Sequence, residues 1–411
     1  MFAFLFSITL PTFAPFFGDD METLLKQRVG LSAYFFISGL CFSSWASRIP
    51  SIQEQFNLNE AQLGSILFTM PISSFIGLPI SGWLVQKFDS RLPLFWGFIF
   101  HCLFLITIGM SNTVFMFTIA IFLFALSNRI TNISMNTQAI NLQNIYPKKI
   151  NGSFHGLWSL GGISGVAITT LMIALKISME LHFMIIAILV FVISLLTFPH
   201  LMKKDKVQNP GGVSLRKPDP MILNLGLLIF FAALCEGSMF DWSGIYFKDV
   251  VKVEIFTAGY LVFMGSMALS RFVSDRLIHV LGMKKVFILS SVLVFLGLVL
   301  AVTFPFFWTA LIGFMIVGVG TAAVVPMVFT LAGNSKKYSP GIAISIIGTF
   351  GLAGFMVGPP LIGHIAHAFN LRFSFIFVAI MGLLILPSSI MFFKKQKNRD
   401  QMEEAPNIGE L

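Results

Sequence analysis

Twelve stretches of about 20 mainly apolar residues follow one another along the 411-residue chain, and they restrict its fold more than any other feature. Crossing the ~30 Å hydrocarbon core of a bilayer takes around 20 residues of helix, because in lipid each backbone amide must find its partner within the segment. The stretches fall at 29–48, 61–86, 92–111, 113–137, 153–175, 180–200, 221–245, 256–279, 285–304, 306–332, 341–366 and 372–393. A membrane barrel would need strands of about ten residues with alternating polarity, a pattern this sequence lacks. The expected class is therefore all-α, an integral membrane protein of twelve transmembrane helices. Only 11% of the residues are charged, against roughly a quarter in a soluble domain, so lipid is the solvent for most of the surface.

A net charge of +9 would suggest a nucleic-acid partner for a soluble chain. Here the cations have another explanation. Alternate gaps between the apolar runs hold Lys26 and Arg28, Lys87 and Arg91, Lys148 and Lys149, five from Lys203 to Lys217, four from Arg271 to Lys285, Lys336 and Lys337, and four from Lys394 to Arg399. These are about 21 of the 27 basic residues. Positively charged loops resist translocation, which places these gaps and both chain ends in the cytoplasm and leaves no role for nucleic acid. The longest polar interruption, 201–220, carries Pro210-Gly211-Gly212 and Pro218-Asp219-Pro220 and reads as a cytoplasmic linker between an N-terminal bundle, 28–200, and a C-terminal one, 221–393. Residues 394–411 read as a charged, unstructured tail. Residues 1–27 read as an extension whose first twenty positions lack the cationic start of a secretory signal, with Met21 heading an ordinary cytoplasmic start.

Cys41, Cys102 and Cys235 fall within apolar runs without metal-ligand spacing and behave as reduced hydrophobes. Neither a phosphate-binding glycine loop nor a zinc or nucleotide fingerprint occurs, so no metal, cofactor or enzymatic activity is expected. Any work such a chain performs would draw on an ion or solute gradient.

A basic knot recurs after the second and eighth runs. Gly82-Trp83-Leu84-Val85-Gln86-Lys87-Phe88 leads to Arg91, and 189 positions later Arg271-Phe272-Val273-Ser274-Asp275-Arg276-Leu277 leads to Gly282 and Lys284-Lys285. That repetition implies two related halves. Twelve spans in two halves with knots in these places resemble the major facilitator superfamily over roughly 28–393. Ser44-Trp45-Ala46-Ser47-Arg48-Ile49-Pro50, Met135-Asn136-Thr137-Gln138-Ala139, His155-Gly156-Leu157-Trp158-Ser159-Leu160-Gly161, Glu236-Gly237 and Asp241-Trp242-Ser243 resemble its fucose-permease-related, YbjJ-like bacterial branch. The resemblance implies two pseudo-symmetric six-helix bundles, a central cavity lined by spans 1, 4 and 7 among others, and alternating access. It also implies that Gly82, Arg91, Arg271, Asp275 and Arg276 form a latch between bundles. Gln86 stands where the first copy would carry an acid, and Asp89 where it would carry its second glycine, so charge latching is weaker there. A plain positive-inside anchor is the alternative role.

Ionisable groups inside spans are costly unless they face a partner or water. Arg129 and Glu236 lie near mid-depth of spans 4 and 7, while Arg48 and Asp241 lie toward the outer ends of spans 1 and 7. The expected pairs are Arg129 with Glu236 and Arg48 with Asp241 or its surroundings. Glu236 and Asp241 are the candidate proton carriers, since a membrane-embedded carboxyl can be loaded and unloaded by a pH gradient; a permanent structural ion pair is the alternative. Asn128, Asn132 and Asn136 recur every fourth residue and share one helical face beside Arg129. They suit either helix-to-helix hydrogen bonding or recognition of solute hydroxyls. Trp45, Trp158 and Trp242 offer flat faces for a sugar-like ring, or interfacial anchors.

The combined expectation is a monomeric inner-membrane transporter moving a small polar, sugar-like solute by proton symport. Proton-antiport export of amphipathic compounds and a non-transporting sensor with the same fold are the alternatives.

Overall fold

The computed structural model describes residues 19–147, 150–203, 219–335, 338 and 340–404. Among them the regular structure is helical. Eleven helical stretches are long and apolar enough to cross a membrane: Met21–Gln55 (span 1), Glu60–Phe88 (span 2), Arg91–Gly109 (span 3), Val114–Ile145 (span 4), Asn151–Ala174 (span 5), Met179–His200 (span 6), Pro220–Val250 (span 7), Met283–Thr303 (span 9), Phe307–Gly333 (span 10), Ile342–Ala368 (span 11) and Leu371–Arg399 (span 12). The helix Ala258–Leu281 supplies span 8. It is long enough to cross but more polar, because Arg271, Asp275 and Arg276 fall within it.

With an even number of spans, the described ends of the chain share one face, here the terminal face, and the opposite one is the far face. Even-numbered spans start at the far face, and several have a polar cap there. Asn59 accepts from the amide of Gln62 at 2.8 Å and Gln62 answers through Oε1 at 3.0 Å, while Thr113, Ser178 and Asn370 accept from Met116, Leu181 and Phe373. Each such cap contributes about 1 kcal/mol by satisfying an amide that the first helical turn leaves free. Span 1 breaks at Ser47 and Arg48, where Pro50 occupies the first turn of the following helix Ile49–Gln55 and cannot continue the preceding hydrogen-bond ladder. At the far end of span 7 the α-helix widens into a π-helical turn, Tyr246–Val250.

Two corners at the terminal face carry the imprint of duplication. Asp89, between spans 2 and 3, has φ 59 and ψ 178; Gly282, between spans 8 and 9, has φ 78 and ψ 151. Only glycine adopts that region comfortably, so Asp89 holds strain of order 1–3 kcal/mol. The second copy reaches its corner seven residues after Asp275, against three after Gln86, so span 8 runs four residues, about one turn, farther past the matched position than span 2 does.

Small residues set the closest helix contacts. A Cβ on Gly165 of span 5 would lie 2.5 Å from the Leu40 carbonyl of span 1, and Gly297 and Gly313 meet in the same way between spans 9 and 10. Backbones can approach this closely only without side chains between them. Spans 1–6 form one six-helix bundle and spans 7–12 the other. The tail differs from expectation: helix Ile385–Glu404 carries span 12 past residue 393 through the cationic segment. Lys, Gln and Arg are good helix formers, and nothing in 394–404 breaks the ladder. The expected extension before residue 19, most of the linker and residues 405–411 lie outside the described residues.

Candidate functional site

The site is built around a buried acid. Glu236 lies halfway along span 7 and is 9% exposed. Arg271 of span 8 places Nη2 3.5 Å from its Oε1 and 3.6 Å from Met267 Sδ, with Arg271 Nε buried and unbonded. Arg271 stands ten residues before the end of its helix, about 15 Å from the terminal-face corner, which is why it reaches mid-depth rather than the membrane surface. Both members of this pair belong to the second bundle.

Farther toward the far face the two bundles touch. Tyr260 of span 8 and Ser43 of span 1 share a hydrogen bond of 3.2 Å between their hydroxyls. Gly162 of span 5 makes room for it, since a Cβ there would meet Met264 Cε at 2.8 Å and Ser43 Oγ at 3.1 Å. Phe42 packs on Trp158 with ring centroids 6.2 Å apart and edge-on against Phe240 at 5.9 Å, and Phe240 meets Tyr260 at 5.9 Å. These rings wall the seam one turn beyond Glu236. On its terminal side, exposed His155 sets its edge against Phe35 at 5.5 Å.

The expected pair of Arg129 with Glu236 does not form. Arg129 lays its stem over Gly77 of span 2, where a Cβ would touch its Cγ at 3.0 Å, and its Nε is buried without a partner. Glu236 is already satisfied within its own bundle. Nor does Arg48 pair with Asp241. The break in span 1 turns Arg48 into its own bundle, where Nε donates to His182 Nδ1 at 3.3 Å and Nη2 to the Ile177 carbonyl at 3.0 Å. Asp241 is half-buried and makes no ion pair among the described residues.

Asn132 is exposed and accepts from Asn136 Nδ2 at its carbonyl, 2.8 Å away, and at its side-chain oxygen, 3.4 Å away. Asn128 is half-buried on the same stripe. Trp158 is half-buried and available at the seam. Trp45 and Trp242 are 1% and 0% exposed, so neither offers a face to a solute nor anchors at an interface. Trp45 instead packs on Phe117 and Phe124 of span 4, each at 6.0 Å.

Among the described residues, the knot side chains form no ion pair between the bundles in this arrangement. Gly82 has no neighbour within 4 Å of its Cβ direction. Arg91 donates to the Phe198 carbonyl at 3.2 Å and covers its ring at 4.2 Å, tying span 3 to span 6 within one bundle. Arg271 turns inward to Glu236, and Arg276 is exposed. The side chain of Asp275 lies outside the described residues.

Closure occurs instead at the far face, through residues that charge patterning had not singled out. Lys248, on the π-helical turn, pairs with Glu54 at 2.6 Å and approaches the Pro50 carbonyl at 3.4 Å. Thr170 bonds Thr257 at 2.7 Å, His367 lies 3.9 Å from Glu60, and a Cβ on Gly64 of span 2 would stand 2.6 Å from the Pro359 carbonyl of span 11. A usable signal was present: opposite charges at matched depths, Glu54 ending span 1 and Lys248 ending span 7. At the terminal half, Gly82, Gly152, Gly156 and Gly348 have no neighbour within 4 Å in the Cβ direction.

Two six-helix membrane bundles that meet across polar and glycine contacts at the far face, beside a buried acid, have the architecture of a multi-pass membrane transporter. The Major Facilitator Superfamily model matches residues 31–339 and 267–408, and the chain belongs to that family. An uncharacterized MFS-type transporter of Yersinia pestis is 31% identical over 89% of this chain and 95% of its own length. Membrane protein MosC of Rhizobium meliloti is 25% identical over 89% of this chain and 90% of its own. Among solved structures, the nucleoside transporter NupG superposes with a TM-score of 0.72 at 16% identity, over 90% of this chain and 99% of that one. An inward-facing, occupied bacterial homolog of the human lysosomal transporter Spinster gives 0.69 at 13% identity, over 89% of this chain and 96% of that one. These two likenesses concern the fold.

Proposed function

We propose that this chain is a proton-linked secondary transporter of a small polar, ring-bearing solute, sugar-like or nucleoside-like, working as a monomer by alternating access in the inner membrane. In this reading its chain ends lie in the cytoplasm, which the cationic gaps favour. The present arrangement is then the inward-open one. The observation that carries the reading is the pairing of buried Glu236 with partly exposed Arg271, below the Ser43–Tyr260 bond that joins the bundles. A proton arriving on Glu236 cancels its charge and releases Arg271, whose partly buried guanidinium then takes another partner. Solute or a rearranged helix supplies that partner, which links protonation to movement of the bundles. Trp158 and Phe42 offer ring faces, while Asn128, Asn132 and Asn136 offer amide groups for hydroxyls.

A second reading concerns the sign of the solute. Arg129 has no carboxylate partner among the described residues, which favours a solute carrying an acidic group. In both readings Glu236→Gln abolishes accumulation driven by a pH gradient in proteoliposomes while leaving counterflow of labelled solute within about twofold. Undiminished accumulation in that variant would sink the coupling role. A screen of sugars, nucleosides and organic acids by counterflow identifies the solute class.

A further inference from the structure

The outer surface of the first bundle holds a groove that the transport path does not use. It has a volume of about 560 Å³ and runs between spans 2, 3 and 4, lined by Phe88, Leu92, Trp96, Phe100, Phe104 and Leu123 among others. Leu92, Trp96 and Phe100 are 43%, 54% and 48% exposed, so the groove opens outward toward lipid. Its one hydroxyl, on Ser127, is already bonded to the Phe124 carbonyl at 2.8 Å and to His101 Nδ1 at 3.1 Å. Along span 3 from Leu92 to Phe104 the groove extends about 18 Å at 1.5 Å per residue, close to the depth of one leaflet of a ~30 Å core.

The mouth at the terminal face is chemically different. Lys87 is exposed, and its Nζ lies 5.2 Å from the centroid of Phe88, a groove-lining ring, and 4.7 Å from that of Trp83. It makes no ion pair among the described residues. Asp89 is the nearby acid, but its Oδ1 is buried, and Arg91 is occupied by Phe198. Among the described residues, then, a cation without a carboxylate partner stands at headgroup level over a slot the length of a single acyl chain.

We propose that this groove is a binding site for an anionic phospholipid of the terminal-face leaflet, with one acyl chain between spans 2, 3 and 4 and its phosphate on Lys87. A hydrocarbon slot alone would accept any lipid; the ammonium supplies the selectivity, as basic positions at this level do on other membrane proteins. The aromatic rims of Trp83 and Trp96 suit the boundary between headgroup and chain.

The test is native mass spectrometry of the full chain in detergent, with phosphatidylglycerol and phosphatidylcholine of identical chains. Retention of one phosphatidylglycerol with about fivefold preference is expected, and Lys87→Gln should reduce that preference to near unity without changing thermal unfolding. Leu123→Trp, which fills the slot from a lipid-facing position, should lower retention of both lipids. Equal retention of the two lipids by the unaltered protein, or a preference that survives Lys87→Gln, would overturn the proposal. Because Lys87 is exposed, that variant reads the site even if the tryptophan variant folds poorly.

Discussion

The two ends of the seam between the bundles differ in what touches across it. Toward the far face, contact is made by backbone and short polar groups: Gly64 on Pro359, Gly363 on the Glu60 carbonyl, Thr170 on Thr257. Toward the terminal face the same helices present Gly82, Gly156 and Gly348 to open space. Small residues thus lie along both halves, but only one half uses them now. Glycine here is a record of contacts that exist and of room for contacts that another arrangement can make.

Forcing the closed end apart should have the largest effect. Gly64→Leu puts a side chain where the Pro359 carbonyl already stands, and backbone cannot move aside as a side chain can. Transport should fall at least tenfold, and a Thr257→Cys reporter, buried in the parent, should become reactive toward an impermeant maleimide. An unreactive reporter would mean that close backbone contact does not hold this end shut. Next comes the charged pair at mid-depth. Arg271→Gln strands Glu236 and should lower stability by about 2 kcal/mol, less than a fully buried pair would because Arg271 is partly exposed. The double variant with Glu236→Gln should recover most of that loss in thermal unfolding, since the two changes share one interaction. Equal melting of single and double variants would show that the pair is not coupled.

Smaller effects separate the halves more finely. Asp89→Gly relieves a glycine-only backbone conformation at the open end and should raise stability by about 1 kcal/mol, a melting shift of a degree or two, with transport unchanged. Lys248→Gln removes a largely solvated ion pair at the closed end. It should cost only about 0.5 kcal/mol, roughly a twofold shift in reporter reactivity, and about 0.5 M salt should mimic it in the parent.

The positions of the twelve spans were legible because length and hydropathy are linear properties. Depth was legible for Glu236 and Arg129, whereas Arg271, grouped by sequence with the cytoplasmic gap cations, stands ten residues inside the end of its helix. Counting cannot supply the direction each side chain faces around its helix. Arg129 and Glu236 share a depth, yet one lies over Gly77 and the other against Arg271. The same limit explains Trp45 and Trp242, whose depth suits an interface while their azimuth buries them. Ser43 and Tyr260 carried no signal at all, being uncharged residues whose importance arises only when two distant helices meet.

The π-helical turn at Tyr246–Val250 makes the far-face tie a question of phase as much as of charge. Each residue added to or removed from a helix swings every later side chain by about 100° around the axis. Deleting one residue from this turn would keep Lys248 at nearly the same height and leave its charge untouched, yet aim it away from Glu54. The widened turn works like a washer under a bolt head: it adds nothing to the grip and decides where the wrench flats point.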